Sequence, residues 1–244
     1  MKFFILCLVV FPFFMSCSEA SDTVPVSETA LPNDYFFAKK YAVIGPGNPI
    51  NPYDVAGQLH TDLYAAYYDN DSLPVSLSEV LDRVFVVAAQ HETFGSMPSS
   101  IQSIDENTLS SLLVQIDCCS SEILYNSFTT AAAAEGFQNF MLTFVSLCDE
   151  EDDYSILHSF VTSYEQFVLE AIMASADKQA ILISTSIIRY STYERKKRPK
   201  KNSDPEWDLM IGNVMGSVAG AADGVEAAVI KSLVCGIVEN GGWE

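Results

Sequence analysis

From Asn51 onward, apolar residues return at intervals of three and four, the period of a helix with one buried face. No alternating run bounded by turn residues is long enough to propose a strand. Asn51-Pro52 has the form of an N-cap followed by a first-turn proline, and Ala56, Leu59, Leu63 and Tyr67 then share one stripe. Ser76 with Glu79 makes a capping box ahead of the face Val80, Val84, Val87, Ala88 and His91. Ser103 with Glu106 repeats the device before Leu109, Leu112, Leu113 and Ile116. One or two helices follow over residues 121–147, with Gly136 as the expected break. The acidic run Asp149–Asp153 suits the positive end of the next helix, whose stripe is Leu157, Phe160, Val161, Tyr164, Val168, Ala171 and Ile172. A turn at Ser175-Ala176-Asp177 leads to a helix apolar from Ala180 to Ile188, and Pro199 stops it. The pattern predicts an all-α, multi-helix bundle of about six to eight helices.

The last predicted element starts at Asp204-Pro205-Glu206 and carries Gly212, Gly216, Gly220 and Gly224 at every fourth position, with Ala228 next in line. Four helical residues turn through about 400°, so these glycines share one slowly drifting face. Relative to alanine they cost about 4 kcal/mol of helix propensity, which close approach of another helix backbone would offset. Three expectations follow: packing inside the domain, self-association or contact with a protein partner, and insertion into a membrane. The uncharged part, Leu209 to Ala222, is only 14 residues and gives way to Asp223, Glu226 and Lys231, which argues against a simple span. A break near Asp223-Gly224 would make a helical hairpin.

The chain begins differently. After Lys2 comes an apolar run from Phe3 to Met15, broken only by Pro12, then Ser16 and Cys17. Polar and acidic residues follow at once: Ser18, Glu19, Ser21 and Asp22. That order is a secretion signal, shorter than the roughly 20 apolar residues a span requires. Phe14-Met15-Ser16-Cys17 looks like a loose lipobox, which would make Cys17 the lipidated N-terminus of the mature chain. Cleavage after Ala20, in Ser18-Glu19-Ala20, is the alternative and would release a soluble periplasmic protein. The predicted organisation is a signal at 1–16, a polar tether and irregular lead-in at 17–50, a helical domain at 51–202, and the glycine-ladder segment at 203–244 packed on it.

The whole chain has 13 Lys and Arg against 32 Asp and Glu, a formal charge of −19. Nucleic acid is therefore excluded as an expected partner, because phosphate binding needs a basic surface. The basic residues are concentrated in Arg195, Lys196, Lys197, Arg198, Lys200 and Lys201. They suit a helix C-terminus, or docking on anionic headgroups at about 1 kcal/mol per charge. Cys118, Cys119, Cys148 and Cys235 remain once Cys7 and Cys17 are set aside. A bond between the neighbours Cys118 and Cys119 would be strained, so the expected pairings join one of them to Cys148 and the other to Cys235. Four buried thiols are the other expectation.

Candidate chemistry is sparse. His91-Glu92-Thr93-Phe94-Gly95 opens like a zinc-protease helix, but Gly95 stands where the second histidine is needed. The acidic run 149–153 and Asp69-Asn70-Asp71 both fail the calcium-loop pattern. No nucleophile elbow, phosphate loop or dinucleotide fingerprint is present, and neither a metal nor a cofactor is expected. His60, on the first helix, is the candidate catalytic residue, provided another helix supplies an orienting carboxylate. His158 is expected at the surface.

The signal, the helix start Asn51-Pro52…Gly57-x-x-His60, the run Ile188-Arg189-Tyr190-Ser191-Thr192-Tyr193 and the Gly/Ala-rich tail together resemble a group of Bacteroidota-type secreted lipoproteins. The acidic segment after Cys17 is likewise similar to the surface-export tether of such lipoproteins. The resemblance covers most of the mature chain and supplies no catalytic residues. It implies a protein held at the outer membrane or cell surface by its N-terminal lipid, with a binding or interaction role. Two other expectations stand beside it: a hydrolase built on His60, and a membrane-active or antagonistic effector using residues 209–238.

Overall fold

The computed structural model describes residues 44–69, 72–94, 99–197 and 206–240. Cys17 and the expected tether through residue 43 lie outside them, as do Gly95, Arg198, Pro199, Lys200, Lys201 and the expected helix start at Asp204-Pro205. Among the described residues the regular structure is entirely helical: α1 (Val55–Tyr68), α2 (Leu77–Gln90), α3 (Ser99–Gln102), α4 (Glu106–Ser127), α5 (Ala131–Glu150), α6 (Tyr154–Glu170), α7 (Ser175–Lys197), α8 (Glu206–Gly220) and α9 (Val225–Glu239). The protein is an all-α helical bundle ending in a helical hairpin.

A helix apolar on every side must be enclosed by others. In α9 every residue from Ala227 to Ile237 is buried, and the run Ala180–Ile188 of α7 is buried likewise. Around α9 pack α1, α2, α4 and α8, while α7 is flanked by α1, α6 and α8. The amphipathic α5 lies further out, against α4 and α6. There Phe140 stacks on Tyr164, ring centroids 4.1 Å apart, with Phe144 and Phe160 continuing the cluster.

The two halves of the hairpin meet through the glycines. A Cβ on Gly216 would lie 2.5 Å from the carbonyl oxygen of Lys231, and one on Gly220 2.6 Å from Ala228 Cα. Gly212 faces Cys235 O at 2.9 Å in the same way. Gly224 has a different job. Its φ of 109° is the left-handed conformation that ends the turn before α9, so it is a hinge rather than a fourth packing position. Ala228 sits across from Gly220 instead of extending the ladder. Lys231 reaches the turn, donating to Ala219 O at 3.2 Å and to Asp223 Oδ2 at 3.0 Å. Its ammonium thus neutralises the carbonyl end of α8.

Several local expectations need correction. Asn51 starts a tight turn, accepting from Tyr53 N, and α1 begins only at Val55. Ser76 caps α2 as expected, with Glu79 reaching back to Val75 N at 2.9 Å. The cap of α4 is Asp105 rather than Ser103, because Asp105 Oδ1 accepts from Thr108 N at 2.7 Å. Gly136 lies within α5 beside open space, and the break before that helix falls at Phe128–Thr130 instead. Asp177 accepts there from Thr129 N and Thr129 Oγ1, both at 2.7 Å, fixing the connection to the start of α7. That same start is already helical at Ser175, where a turn was expected. α6 ends at Glu170, so Ile172 falls beyond the stripe and is fully exposed. The lead-in is bound to the helices through Pro46 O on Arg189 and through Asn48 and Asn51 on Glu165.

The cysteines also depart from expectation. Cys118 is joined to Cys119, whose backbone (φ −151°, ψ 40°) interrupts α4. Cys148 and Cys235 are buried thiols in the core, and burial pushes the Cys235 thiol up to about 12. With the sulfurs of Cys118 and Cys119 used on each other, the expected pairings to Cys148 and Cys235 do not form.

Candidate functional site

The most unusual chemistry of the domain is a buried charged cluster where α1, α6 and α7 meet the lead-in segment. Glu165 and Arg189 have fully buried side chains, and charges are rarely taken out of water unless paired. Glu165 Oε1 accepts from Arg189 Nε at 3.1 Å, Thr185 Oγ1 at 2.8 Å and Asn51 Nδ2 at 2.8 Å. Its other oxygen accepts from Asn48 Nδ2. The guanidinium of Arg189 uses its remaining arms on Pro46 O and Asp54 Oδ1. Asp54 in turn accepts from Asn48 N at 3.1 Å and from Tyr190 Oη at 3.3 Å. His158 Nε2 closes the outer side on Gly47 O at 3.3 Å.

Local sequence makes this convergence possible. Gly57 carries no side chain where α1 crosses α7: a Cβ there would be 2.4 Å from Tyr190 Cδ2 and 2.5 Å from Ser186 O. Its N–H, one of the donors a helix start leaves without an internal partner, goes to Ser186 Oγ at 3.0 Å. Ser186 Oγ also donates to Asp54 O at 2.8 Å. Burial pushes the Tyr154 hydroxyl well above its ordinary range, so it stays protonated and donates to Arg189 O at 3.1 Å. Each oxygen of Glu165 is occupied by a donor from the protein. The cluster is built to hold residues 46–54 in place.

His60 belongs to a separate pair. It is buried on α1 with Nε2 3.1 Å from Asn213 Oδ1 of α8, and its ring stacks over Tyr64. The helix expected to supply a carboxylate supplies an amide. Gly236 leaves the space for it, since a Cβ there would fall 1.8 Å from Asn213 Oδ1. Burial pushes the imidazole down to about 4, against a smaller upward pull from the Asn213 hydrogen bond. An unfolded chain takes up this proton near pH 6.5, whereas the folded one holds it off until about 4. Stability is therefore complete above about pH 6.5 and falls as the pH drops toward 4. At pH 5 the loss is about 2 kcal/mol relative to pH 7. In His60→Gln the difference between urea midpoints at pH 7 and pH 5 is expected to shrink accordingly. An unchanged difference would show that His60 is not the titrating group.

Other sequence candidates are spread over the surface. Lys196 Nζ donates to Glu151 O at 3.0 Å and to Asp152 Oδ1 at 3.4 Å, so it is engaged by the acidic link. Arg195 is half-buried beside it, while α7 ends its described course at Lys197. His91 ends α2, half-buried, 3.8 Å from Asp62 Oδ2. The ends of α1 and α9 border an open depression of about 660 Å³ lined by Tyr64, Ala65, Tyr68, Asp69 and Asn240. Among the described residues no group of three or more His, Cys, Asp or Glu is placed to hold a metal ion, and no helix is long and apolar enough to cross a membrane.

Sequence reasoning missed Glu165, Thr185, Asn48 and Asn213. One signal for the first was available: Glu165 stands between Val161 and Val168 on the apolar stripe of α6, where a charge needs a partner. Comparison with protein-family models, curated proteins and solved structures gives no match to this chain.

Proposed function

We propose that this chain is an exported lipoprotein, acylated at Cys17, that displays a helical domain for non-covalent interaction at the outer membrane or cell surface. The observation that carries the reading is the lock on residues 46–54. A domain held by one end of its chain transmits every pull through the first residues it fixes. Here those residues bind a fully buried ion pair, so load passes directly into α6 and α7. The residues between Cys17 and Ile44 allow a reach of at most about 95 Å. An acyl chain contributes about 0.8 kcal/mol per buried methylene, and several chains on Cys17 anchor stably. The signal anatomy and the resemblance to Bacteroidota-type lipoproteins support the same address.

An interaction role agrees with how the candidate groups are used. Glu165 and Arg189 are saturated by protein partners, and His60 is a neutral imidazole facing an amide. Most of residues 210–221 and all of residues 227–237, within the 209–238 of the effector reading, are buried in the bundle, and entry into a membrane would require the glycine contacts to separate. The open tyrosine-lined depression offers a contact surface at the opposite end of α1 from the lock.

Metabolic palmitate labelling tests the anchor. Wild-type protein should carry label and sediment with membranes, and Cys17→Ala should do neither. An unlabelled wild type, or a mature chain starting at Ser21, removes the lipoprotein reading. A hydrolase substrate panel tests the interaction role, and any activity lost in His60→Ala would displace it.

A further inference from the structure

In a regular helix successive side chains point about 100° apart, so neighbouring residues do not face each other. Adjacent cysteines joined to one another therefore cannot both keep helical geometry. In α4 it is Cys119 that departs, and the helix is divided there into a longer and a shorter half. The bond and the straight helix exclude each other.

The sequence is nevertheless written for the straight form. Leu109, Leu112 and Ile116 are buried before the kink, and Ile123 and Leu124 after it. The steps from 109 to 112, 116, 119 and 123 alternate three and four, which is one unbroken helical stripe passing through Cys119. A straight α4 would bring the Cys119 thiol onto the buried face between Ile116 and Ile123, a place a small apolar residue fills well. Cys118 would stay on the outer side, where it is already exposed. The far end is held independently, through Thr129 on Asp177. The kinked form thus has a buried apolar face on both sides of Cys119, and the sequence stripe supplies a continuous one for the straight helix.

We infer that Cys118–Cys119 is a redox site that switches α4 between a kinked and a continuous helix. Its reductant is a dithiol, protein or small molecule. One thiolate attacks the exposed Cys118 sulfur and releases Cys119 as a thiolate, which takes up a proton. The second thiol of the reductant then attacks the mixed disulfide, releases Cys118 as a thiol and closes the reductant's own disulfide. Two electrons and two protons pass to the protein, and the reductant is oxidised by the same amount.

The test uses full-length mature protein before and after treatment with dithiothreitol. The proteolytic fragment containing Cys118 and Cys119 should resist alkylation before treatment and take two alkyl groups afterwards. Amide hydrogen exchange over residues 117–124 should slow by roughly tenfold on reduction, as the interrupted helical hydrogen bonds form. Cys118→Ser/Cys119→Ser should exchange at the slow rate with or without dithiothreitol. Full alkylation of both cysteines in untreated protein overturns the proposal. So does exchange over 117–124 that is equal in the two states, even where the bond itself is found.

Discussion

Arg189→Met should destabilise the domain by about 3–5 kcal/mol, because it leaves the Glu165 carboxylate buried without its charged partner. For a chain of this size that lowers the melting temperature by roughly 10 °C. The cost falls on residues 46–54 as well as on α6 and α7, since Pro46 O and Asp54 lose the same guanidinium. Hydrogen exchange should therefore accelerate first in the lead-in. Glu165→Met should be severe for the converse reason. The double variant should cost clearly less than the two singles added together, because no lone charge then remains in the core. Thermal melts of the four proteins decide it. A single variant melting within a degree or two of wild type, or strict additivity, would mean the pair does not lock the lead-in.

Gly216→Leu should prevent the α8–α9 hairpin from closing, and even Gly216→Ala should cost about 2 kcal/mol net of its gain in helix propensity. The first atom of any side chain there lies 2.5 Å from a backbone oxygen and 2.7 Å from Ser232 Cα, and no rotamer moves backbone aside. Gly136→Ala should do the opposite. Nothing lies within 4 Å of its Cβ position, and the residue is inside a helix, so about 1 kcal/mol of propensity is recovered. Urea midpoints of the two alanine variants should move in opposite directions from wild type. A neutral or stabilising Gly216→Ala would show that the close approach is not what holds the hairpin.

These two glycines show where sequence pattern is informative and where it stops. Four-residue spacing placed Gly212, Gly216, Gly220 and Gly224 on one face and left its use open; the structure packs the first three against α9 and puts Gly224 in the turn. A lone glycine at 136 looks the same in sequence as a helix break, but the helix-forming residues around it carry the chain through. Caps were legible to within a few residues. Ser76 is the cap its spacing announced, whereas Asp105 displaced Ser103 because its oxygen reaches the open N–H groups of α4.

The cluster at Arg189 was half visible. Asn51, Gly57 and the Arg189-Tyr190 run stood out as short motifs far apart in the chain, without a reason to be read together. In space Gly57 lies against Ser186 and Tyr190, and Asn51 and Arg189 bind the same oxygen of Glu165. Hydrogen-bond partners more than a hundred residues apart leave no periodicity for a sequence to display. For the same reason the Asn213 partner of His60 could not be foreseen, although its position opposite Gly236 explains that glycine.

By itself, the order of residues determined the helices, most of their buried faces and the close-packing glycines, since each depends on neighbours within a few turns or on local composition. Only the tertiary structure decided that a carboxylate on α6 and a guanidinium on α7 would be buried together, that the lead-in would close over them, and that Cys118 would take Cys119 rather than a distant thiol. Those outcomes depend on which surfaces meet after folding. A burial cost is set by everything that surrounds a charge, and no segment of the chain carries that information alone.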